Sequence, residues 1–242
     1  MSDEREFHGG RLPAPDERDA NYPARRMLDA LAVMLPRGIP PGTRYYEPSP
    51  ILDQDDTGTC VLHAVVEFIE GAPIMSKPTG PDDLNPLLLY DEAAANDEFT
   101  ENDHDPQRQY GTSVRAGIET MRRRGRVANY YWAATVDEAI DWHLANLGTA
   151  LIGMDWTSAM MRTDERGFVG TGGRVEGGHC IKTTGWSHVR DAFRCQQSWG
   201  RGWGQHGLFW LPAAEVRAQL AAGTAELCLP TEIRLPKVAP TR

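Results

Sequence analysis

The sequence predicts an α+β chain of two lobes, and three observations carry that expectation. Up to about residue 130, apolar residues recur at helical spacing between capping residues and glycines. Beyond that point, short alternating or continuous apolar runs follow one another between Gly-rich and polar turns, the pattern of strands. The order is therefore mostly helices and then mostly strands, with no internal repeat or low-complexity tract. The 242 residues suffice for one large domain or two small lobes.

Residues 1–50 are rich in Pro, Asp and Arg, with one short apolar segment from Met27 to Leu35. They read as an extended arm holding one or two helical turns, since Pro36, Pro40, Pro41, Pro48 and Pro50 forbid long helices. The first full helix starts at Cys60. Thr59 is placed to cap it with its hydroxyl, and Gly71 to close it in a left-handed turn. Residues 72–86 carry four prolines and read as loop, and Leu87 to Asn96 reads as helix. The acidic run Asp97 to Asp105 reads as a solvated loop; it lacks the spacing and central glycine of a calcium loop. Thr112 or Ser113 caps the next helix, with Val114, Ile118 and Met121 on one face and Gly125 at its end.

Tyr130 to Thr135 is strand-like. Asp137 and Glu138 open a further helix, with Ile140, Leu144 and Leu147 as its stripe and Gly148 as its stop. Thr149 to Trp156 is a short apolar strand, and Phe168 to Val175 a Gly-rich hairpin region. Cys180 to Trp186 and Ala192 to Gln196 flank a polar turn, and Leu208 to Leu211 is another strand. Pro212 opens a helix ending at Gly223, and Glu226 to Ile233 is a last strand. The expected organisation is an arm over 1–45, a mainly helical lobe over 46–135, a mainly β lobe over 136–235 and a tail over 236–242.

Composition limits the partners. Hydrophobic residues make up 40% and charged residues 24%, ordinary for a globular protein, and the net charge of −9 argues against nucleic acid. The basic cluster Arg122, Arg123, Arg124 and Arg126 falls at a helix end, where it complements the helix dipole. No segment approaches the roughly 20 apolar residues of a membrane span, and the first fifteen residues hold no apolar signal-peptide core. Cys60, Cys180, Cys195 and Cys228 are widely spaced with no C-x-x-C pair, so neither a zinc site nor a disulfide framework is expected, and no cofactor. A reduced, cytoplasmic protein is the simplest reading.

One cysteine differs from the rest. Cys60 begins a helix, where unpaired N–H groups and the dipole favour the thiolate. Most cysteines so placed are buried and inert. Here, though, Gly177-Gly178-His179 follows at the mouth of a strand, and Gln197-Ser198-Trp199-Gly200 ends the next one. The two glycines permit close approach of another chain.

Taken in this order, the three segments resemble the papain-like cysteine peptidases, their bacterial and phage-borne members above all. Gln54 precedes Cys60 by six residues, as in the family's nucleophile motif; Gly177 to Cys180 matches its histidine strand; Gln197 to Gly200, on through Trp203-Gly204, matches its Asn-Ser-Trp-Gly motif; and Tyr110-Gly111-Thr112-Ser113 resembles its substrate-side loop. The match covers about residues 45–233. It implies a two-lobed fold with the cleft between a helical and an antiparallel, barrel-like lobe. It implies Cys60 as nucleophile, His179 as acid–base, Gln54 as oxyanion donor and Gln197 as the residue orienting the imidazole, with Gly111, Gly178 and Trp199 on the substrate side. A peptide or protein is the implied substrate.

Four positions depart from the family pattern. Gln197 stands where the family has Asn, which moves the amide oxygen by about 1.5 Å; a misfit there reduces activity rather than abolishing it. Val61 replaces an aromatic residue, and Thr57 a disulfide cysteine. His63, one turn after Cys60, reads as a helix histidine bonded to a carbonyl. Only 59 residues precede Cys60, too few for the long inhibitory propeptide of secreted relatives, though the arm is long enough to cover the cleft. The alternative to a thiol peptidase is a non-catalytic module of the same fold in a structural or binding role, such as a virion or assembly component.

Overall fold

Strands from both ends of the chain meet in one antiparallel seven-stranded sheet, in a computed structural model that describes residues 7–14, 17–34, 42–97 and 107–232. The elements are α1 (Ala24–Met34), β1 (Arg44–Tyr45), α2 (Cys60–Glu70), α3 (Pro86–Ala94), α4 (Val114–Arg123), β2 (Asn129–Trp132), α5 (Val136–Leu144), β3 (Leu151–Thr157), β4 (Val175–Ser187), β5 (Ala192–Gln196), β6 (Leu208–Pro212), α6 (Ala213–Ala222) and β7 (Glu226–Thr231). Sheet order is β2-β7-β3-β4-β5-β6, with the short β1 against the far end of β4.

The alternation of side chains along the strands divides the interior between two lobes. Ile152, Met154 and Trp156 of β3, with Ile181 of β4 and Leu227 and Leu229 of β7, join the larger cluster under α1, α5 and α6. Leu151, Cys180 and Cys228 face the other way, into a cluster built by α2, α3 and α4. Helix α2 is the axis of this second lobe. From Cys60 to Ile69 every residue is buried, so it is apolar around nearly its whole circumference, as a helix enclosed by others must be. Each large apolar side chain so enclosed contributes about 1.5–3 kcal/mol. Gly117 on α4 faces Val61, and a Cβ there would press into it; the glycine allows α4 to approach α2.

Several local expectations are corrected. Thr59 does not cap α2 with its hydroxyl, which bonds instead to Thr57 Oγ1 and His63 Nδ1. Gly71 is extended (φ −87°, ψ 167°), not left-handed. It is glycine for another reason: a Cβ there would strike the Lys182 ammonium. The apolar segment near Met27 forms an eleven-residue helix, longer than one or two turns, because Ala24, Met27 and Leu28 pack into the larger cluster. Helix α5 buries Val136, Ala139, Trp142 and His143, while Ile140 and Leu144 are only half-buried. Ser113 and Thr135 do cap α4 and α5, accepting from Ala116 N and Glu138 N. Most of the acidic run after Asp97, and Ile233, lie outside the described residues. Arg122, Arg124 and Arg126 pair with Glu119, Glu92 and Asp83. Among the described residues, no helix is long and apolar enough to cross a membrane.

Candidate active site

The start of α2 meets β4 where the two clusters adjoin. The backbone amide of Cys180, the residue after His179, lowers the Cys60 thiol, so β4 passes beside the sulfur; His179 lies within β4 opposite Met154, not at its mouth, because the strand already begins at Val175. The imidazole of His179 is enclosed by aromatic rings, with centroids at 5.0 Å to Trp156 and 5.1 Å to Trp199. Its Nε2 lies 2.9 Å from Gln197 Oε1, an ordinary hydrogen-bond length. The extra methylene of Gln197 is therefore accommodated: the amide reaches the ring.

Gln54 is nearly as buried. Its side-chain oxygen accepts from Ser198 Oγ at 2.7 Å, and its backbone N–H donates to the Ser198 carbonyl at 2.9 Å. Its amide nitrogen donates to the Thr57 carbonyl at 2.6 Å and to the His8 carbonyl at 2.8 Å. One four-residue stretch after β5 thus ties the site together. Gln197 holds His179, Ser198 holds Gln54, Trp199 covers the imidazole and bridges Asp53, and Gly200 donates to the Leu52 carbonyl. Ser198 was not among the residues singled out from the sequence. Its position inside the Trp-Gly motif was the available signal, but a serine there gives no hint of its partner.

His63 is buried one turn into α2, with Nδ1 at 3.0 Å from the Thr59 carbonyl. Burial pushes its pKa down. It is a helix histidine engaged with its own backbone. Thr57, where the resembling family has a cysteine, bonds to the Gln54 carbonyl at 2.6 Å. All four cysteines are free and buried.

The N-terminal arm runs through this cleft. Phe7 packs edge-on against His179 and Trp199, at 6.1 and 6.0 Å between centroids. The Gly10 and Arg11 amides both donate to the Gly178 carbonyl, at 3.1 and 3.2 Å. Thr112 N–H donates to the Gly10 carbonyl and Leu12 N–H to the Thr112 carbonyl, so Arg11 forms a parallel bridge with Thr112. Gly111 (φ +86°) and Gly178 line this slot, and a Cβ on either would run into the arm's backbone. The Gly10 amide also acts on the Cys60 thiol, lowering it.

Covered in this way, Cys60 is fully buried, and burial pushes its thiol up to about 11. The amides of Cys180, Gly10 and Val61 and the Arg11 guanidinium pull it back only in part. A helix start alone led to the expectation of a thiolate; desolvation outweighs the dipole here. Gly9-Gly10 between Phe7 and Arg11 was the sequence signal for a closely packed arm, hidden in a segment that otherwise reads as polar.

No family model matches the chain, and no curated protein matches it in sequence. Solved structures do match. Xylellain, a cysteine protease from Xylella fastidiosa, is 16% identical with a TM-score of 0.68 over 95% of this chain and 98% of that one. Digestive procathepsin L 3 from the larval midgut of Tenebrio molitor is 13% identical, with a TM-score of 0.56 over 79% and 70%. The bromelain protease of Ananas comosus in complex with the E64 inhibitor is 10% identical, with a TM-score of 0.55 over 79% and 99%. The chain has the papain-like two-lobed fold.

Proposed function

We propose that the chain is a thiol-dependent peptidase that hydrolyses peptide bonds through Cys60 and His179. The observation that carries this reading is the 2.9 Å contact between His179 Nε2 and Gln197 Oε1. An amide oxygen there keeps the proton on Nε2 and leaves Nδ1 as the basic nitrogen. The influence of the Cys180 amide, next to His179, on the Cys60 thiol supports the reading that imidazole and thiol act together.

In the proposed cycle, the Cys60 proton passes to His179 and the thiolate attacks the substrate's carbonyl carbon. The Gln54 side-chain N–H and the Cys60 backbone N–H stabilise the oxyanion. His179 gives its proton to the leaving amine, the C–N bond breaks and a thioester remains. His179 then takes a proton from water, the hydroxide attacks, and the C–S bond breaks to release the acid and restore the thiol. Ser198 and Trp199 act as positioning residues for Gln54 and His179.

The arm defines a resting form. The His8 carbonyl takes up the Gln54 donor, Gly10 takes up the Gly178 carbonyl, and the buried thiol stays protonated at neutral pH. Substrate enters when Phe7 to Leu12 withdraws.

An epoxide thiol-peptidase inhibitor tests the reading, applied to the full chain and to an Arg11→Ala variant that weakens arm docking. One label should appear at Cys60, faster in the variant, and His179→Ala should abolish it. Labelling at Cys60 no faster than that of a free thiol in both chains would sink the enzymatic reading.

A further inference from the structure

The proposed oxyanion donor is held by a line of hydrogen bonds that runs back into α2, and the line ends on a histidine the reaction does not otherwise use. Gln54 Nε2 carries two hydrogens. One goes to the Thr57 carbonyl at 2.6 Å and the other to the His8 carbonyl of the arm at 2.8 Å. Withdrawal of the arm releases the second hydrogen and leaves the first on Thr57. The aim of the released N–H therefore depends on where Thr57 sits. No disulfide crosses the turn from Gln54 to Thr59, since all four cysteines are free. Gly58 N–H on the Arg108 carbonyl and the Gln109 amide on the Asp56 carbonyl hold only the outside of that turn.

Its inside is held from α2. Thr57 Oγ1 donates to the Gln54 carbonyl at 2.6 Å and lies 2.7 Å from Thr59 Oγ1, which lies 3.1 Å from His63 Nδ1. Counting hydrogens fixes the direction of each bond. A carbonyl oxygen only accepts, so the single hydroxyl hydrogen of Thr57 is spent on Gln54. Thr57 Oγ1 then accepts from Thr59, whose one hydrogen is spent in turn. Thr59 Oγ1 must accept from His63, so Nδ1 carries a proton. The other neighbour of Nδ1 agrees, because the Thr59 carbonyl at 3.0 Å can only accept. His63 N–H, Thr59 O–H, Thr57 O–H and the Gln54 carbonyl thus form one line of one polarity, in which each bond strengthens the next. Thr59 and His63 are buried, so water does not compete for their bonds.

Resting on the peptidase reading above, we propose that His63 is a positioning residue for the oxyanion donor, anchoring Thr59 and Thr57, and through them the Gln54 amide, to the first turn of α2. Ser198 holds the amide oxygen of Gln54 from the β side, and the line from His63 holds its nitrogen from the helical side. One helix then sets both the nucleophile and the donor that faces the oxyanion, since Cys60 and His63 lie a turn apart on α2.

Two substitutions break the line at opposite ends. His63→Leu removes the anchor, and Thr57→Val, at a half-buried position, removes the hydroxyl that reaches Gln54. In each, kcat on a fluorogenic peptide should fall about 10–100-fold per folded molecule with KM unchanged, the order expected when a reacting group is displaced by about 1 Å. His63→Asn, whose amide nitrogen stands where Nδ1 stood, and Thr57→Ser should restore most of kcat. In a Gln54→Ala chain, His63→Leu should leave the residual kcat as it is, because no donor remains to be aimed. Unchanged kcat in both single variants, or an equal loss with and without Gln54, overturns the proposal. A nitrogen-15 spectrum of the full-length chain separates it from the peptidase reading. His63 should be the Nδ1–H tautomer, and Thr57→Val should shift the Gln54 side-chain amide signals; a neutral His63 protonated on Nε2 alone overturns the proposal. The Nδ1–H tautomer and the shifted amide, in a chain that hydrolyses no peptide, would count against catalysis and for the anchor.

Discussion

Two buried polar centres are built from the same three elements, and they differ in what covers them. At one end of α2 and within β4 lie Cys60 and His179, with Gln197 just beyond β5. Two turns along α2 and three residues along β4 lie Glu67 and Lys182, with Gln196 at the end of β5. Both centres are essentially inaccessible to solvent. The inner one is sealed by the fold: Lys182 donates to the Glu67 carbonyl at 2.9 Å, and Gln196 donates to Ser49 Oγ and the Pro50 carbonyl. The outer one is sealed by a single extended segment, Phe7 to Leu12, held by a handful of backbone bonds and one arginine. Burial shifts the ionisable groups of both towards neutrality: Glu67 and Cys60 up, Lys182 down. On the proposed reading, withdrawal of Phe7 to Leu12 would uncover the outer centre with α2, β4 and β5 in place. A removable cover, rather than burial or an unusual pKa, separates a site from a core.

That contrast predicts its largest effect at the inner centre. Lys182→Met leaves Glu67 without its countercharge and should cost about 3–5 kcal/mol of unfolding free energy at neutral pH. Glu67 has a folded pKa raised by burial, so its protonated form contributes stability that is full below the ordinary value of 4.5 and is lost as pH rises through the folded value. The penalty should therefore shrink at pH 5. Urea unfolding at pH 5 and pH 7.5 measures this, with Cys60 labelling per folded molecule unchanged. An equal cost at both pH values would show that Glu67 is not the group left exposed to the loss.

At the outer centre the same kind of deletion should act on rate. Gln54→Ala removes a proposed oxyanion donor and should lower kcat by about 10²–10³, the effect of losing one such donor elsewhere. The truncation also leaves Ser198 Oγ and the Thr57 carbonyl without that partner and should cost about 1–3 kcal/mol of stability, so the rate is read per folded molecule. A peptide substrate and a thermal melt on the same preparation read both quantities. Unchanged kcat would remove Gln54 from the mechanism.

Removing the cover is the next step down. A chain beginning at Pro13 lacks Phe7 to Leu12, and the Cys60 thiol should fall from about 11 towards its ordinary value of 9 or below. Two units of pKa amount to about a hundredfold in thiolate at pH 7. The rate of iodoacetamide alkylation against pH reports it directly: the midpoint should move to lower pH in the truncated chain. Coincident profiles would mean that burial by α2 and β4, not the arm, holds the proton.

The two centres also differ in how far they could be read from residues alone. Cys60, His179, Gln197 and Gln54 were legible because their spacing and their glycine neighbours form motifs, and helix and strand periods placed them on the right elements. The apolar runs of β3, β4 and β7 likewise foretold strands there, though not that one sheet would bury both its faces. Lys182 and Glu67 were not legible, since a lysine in a strand and a glutamate in a helix ordinarily face water, and only the meeting of α2 with β4 encloses them. Gly71 was read as a left-handed cap because local sequence carries no trace of Lys182, which is what excludes a side chain there. Ser198, Arg11 and Glu226 were hidden for the same reason: their partners lie 144 and 215 residues away.

The smallest effect tests the one departure from the family pattern at the centre of the site. Gln197 holds His179 at a normal 2.9 Å, with its backbone N–H on the Gly207 carbonyl. If the backbone of this chain is set for glutamine, Gln197→Asn withdraws the acceptor by about 1.5 Å, one carbon–carbon bond. The imidazole then loses its orientation but keeps the Trp156 and Trp199 walls. Orienting residues contribute less than the nucleophile or base, so kcat should fall by no more than about tenfold, equivalent to 1.4 kcal/mol. KM should hold. Gln197→Ala should extend the same trend. A faster Gln197→Asn enzyme would mean that glutamine strains the imidazole, and that the contact length is met at the expense of its angle.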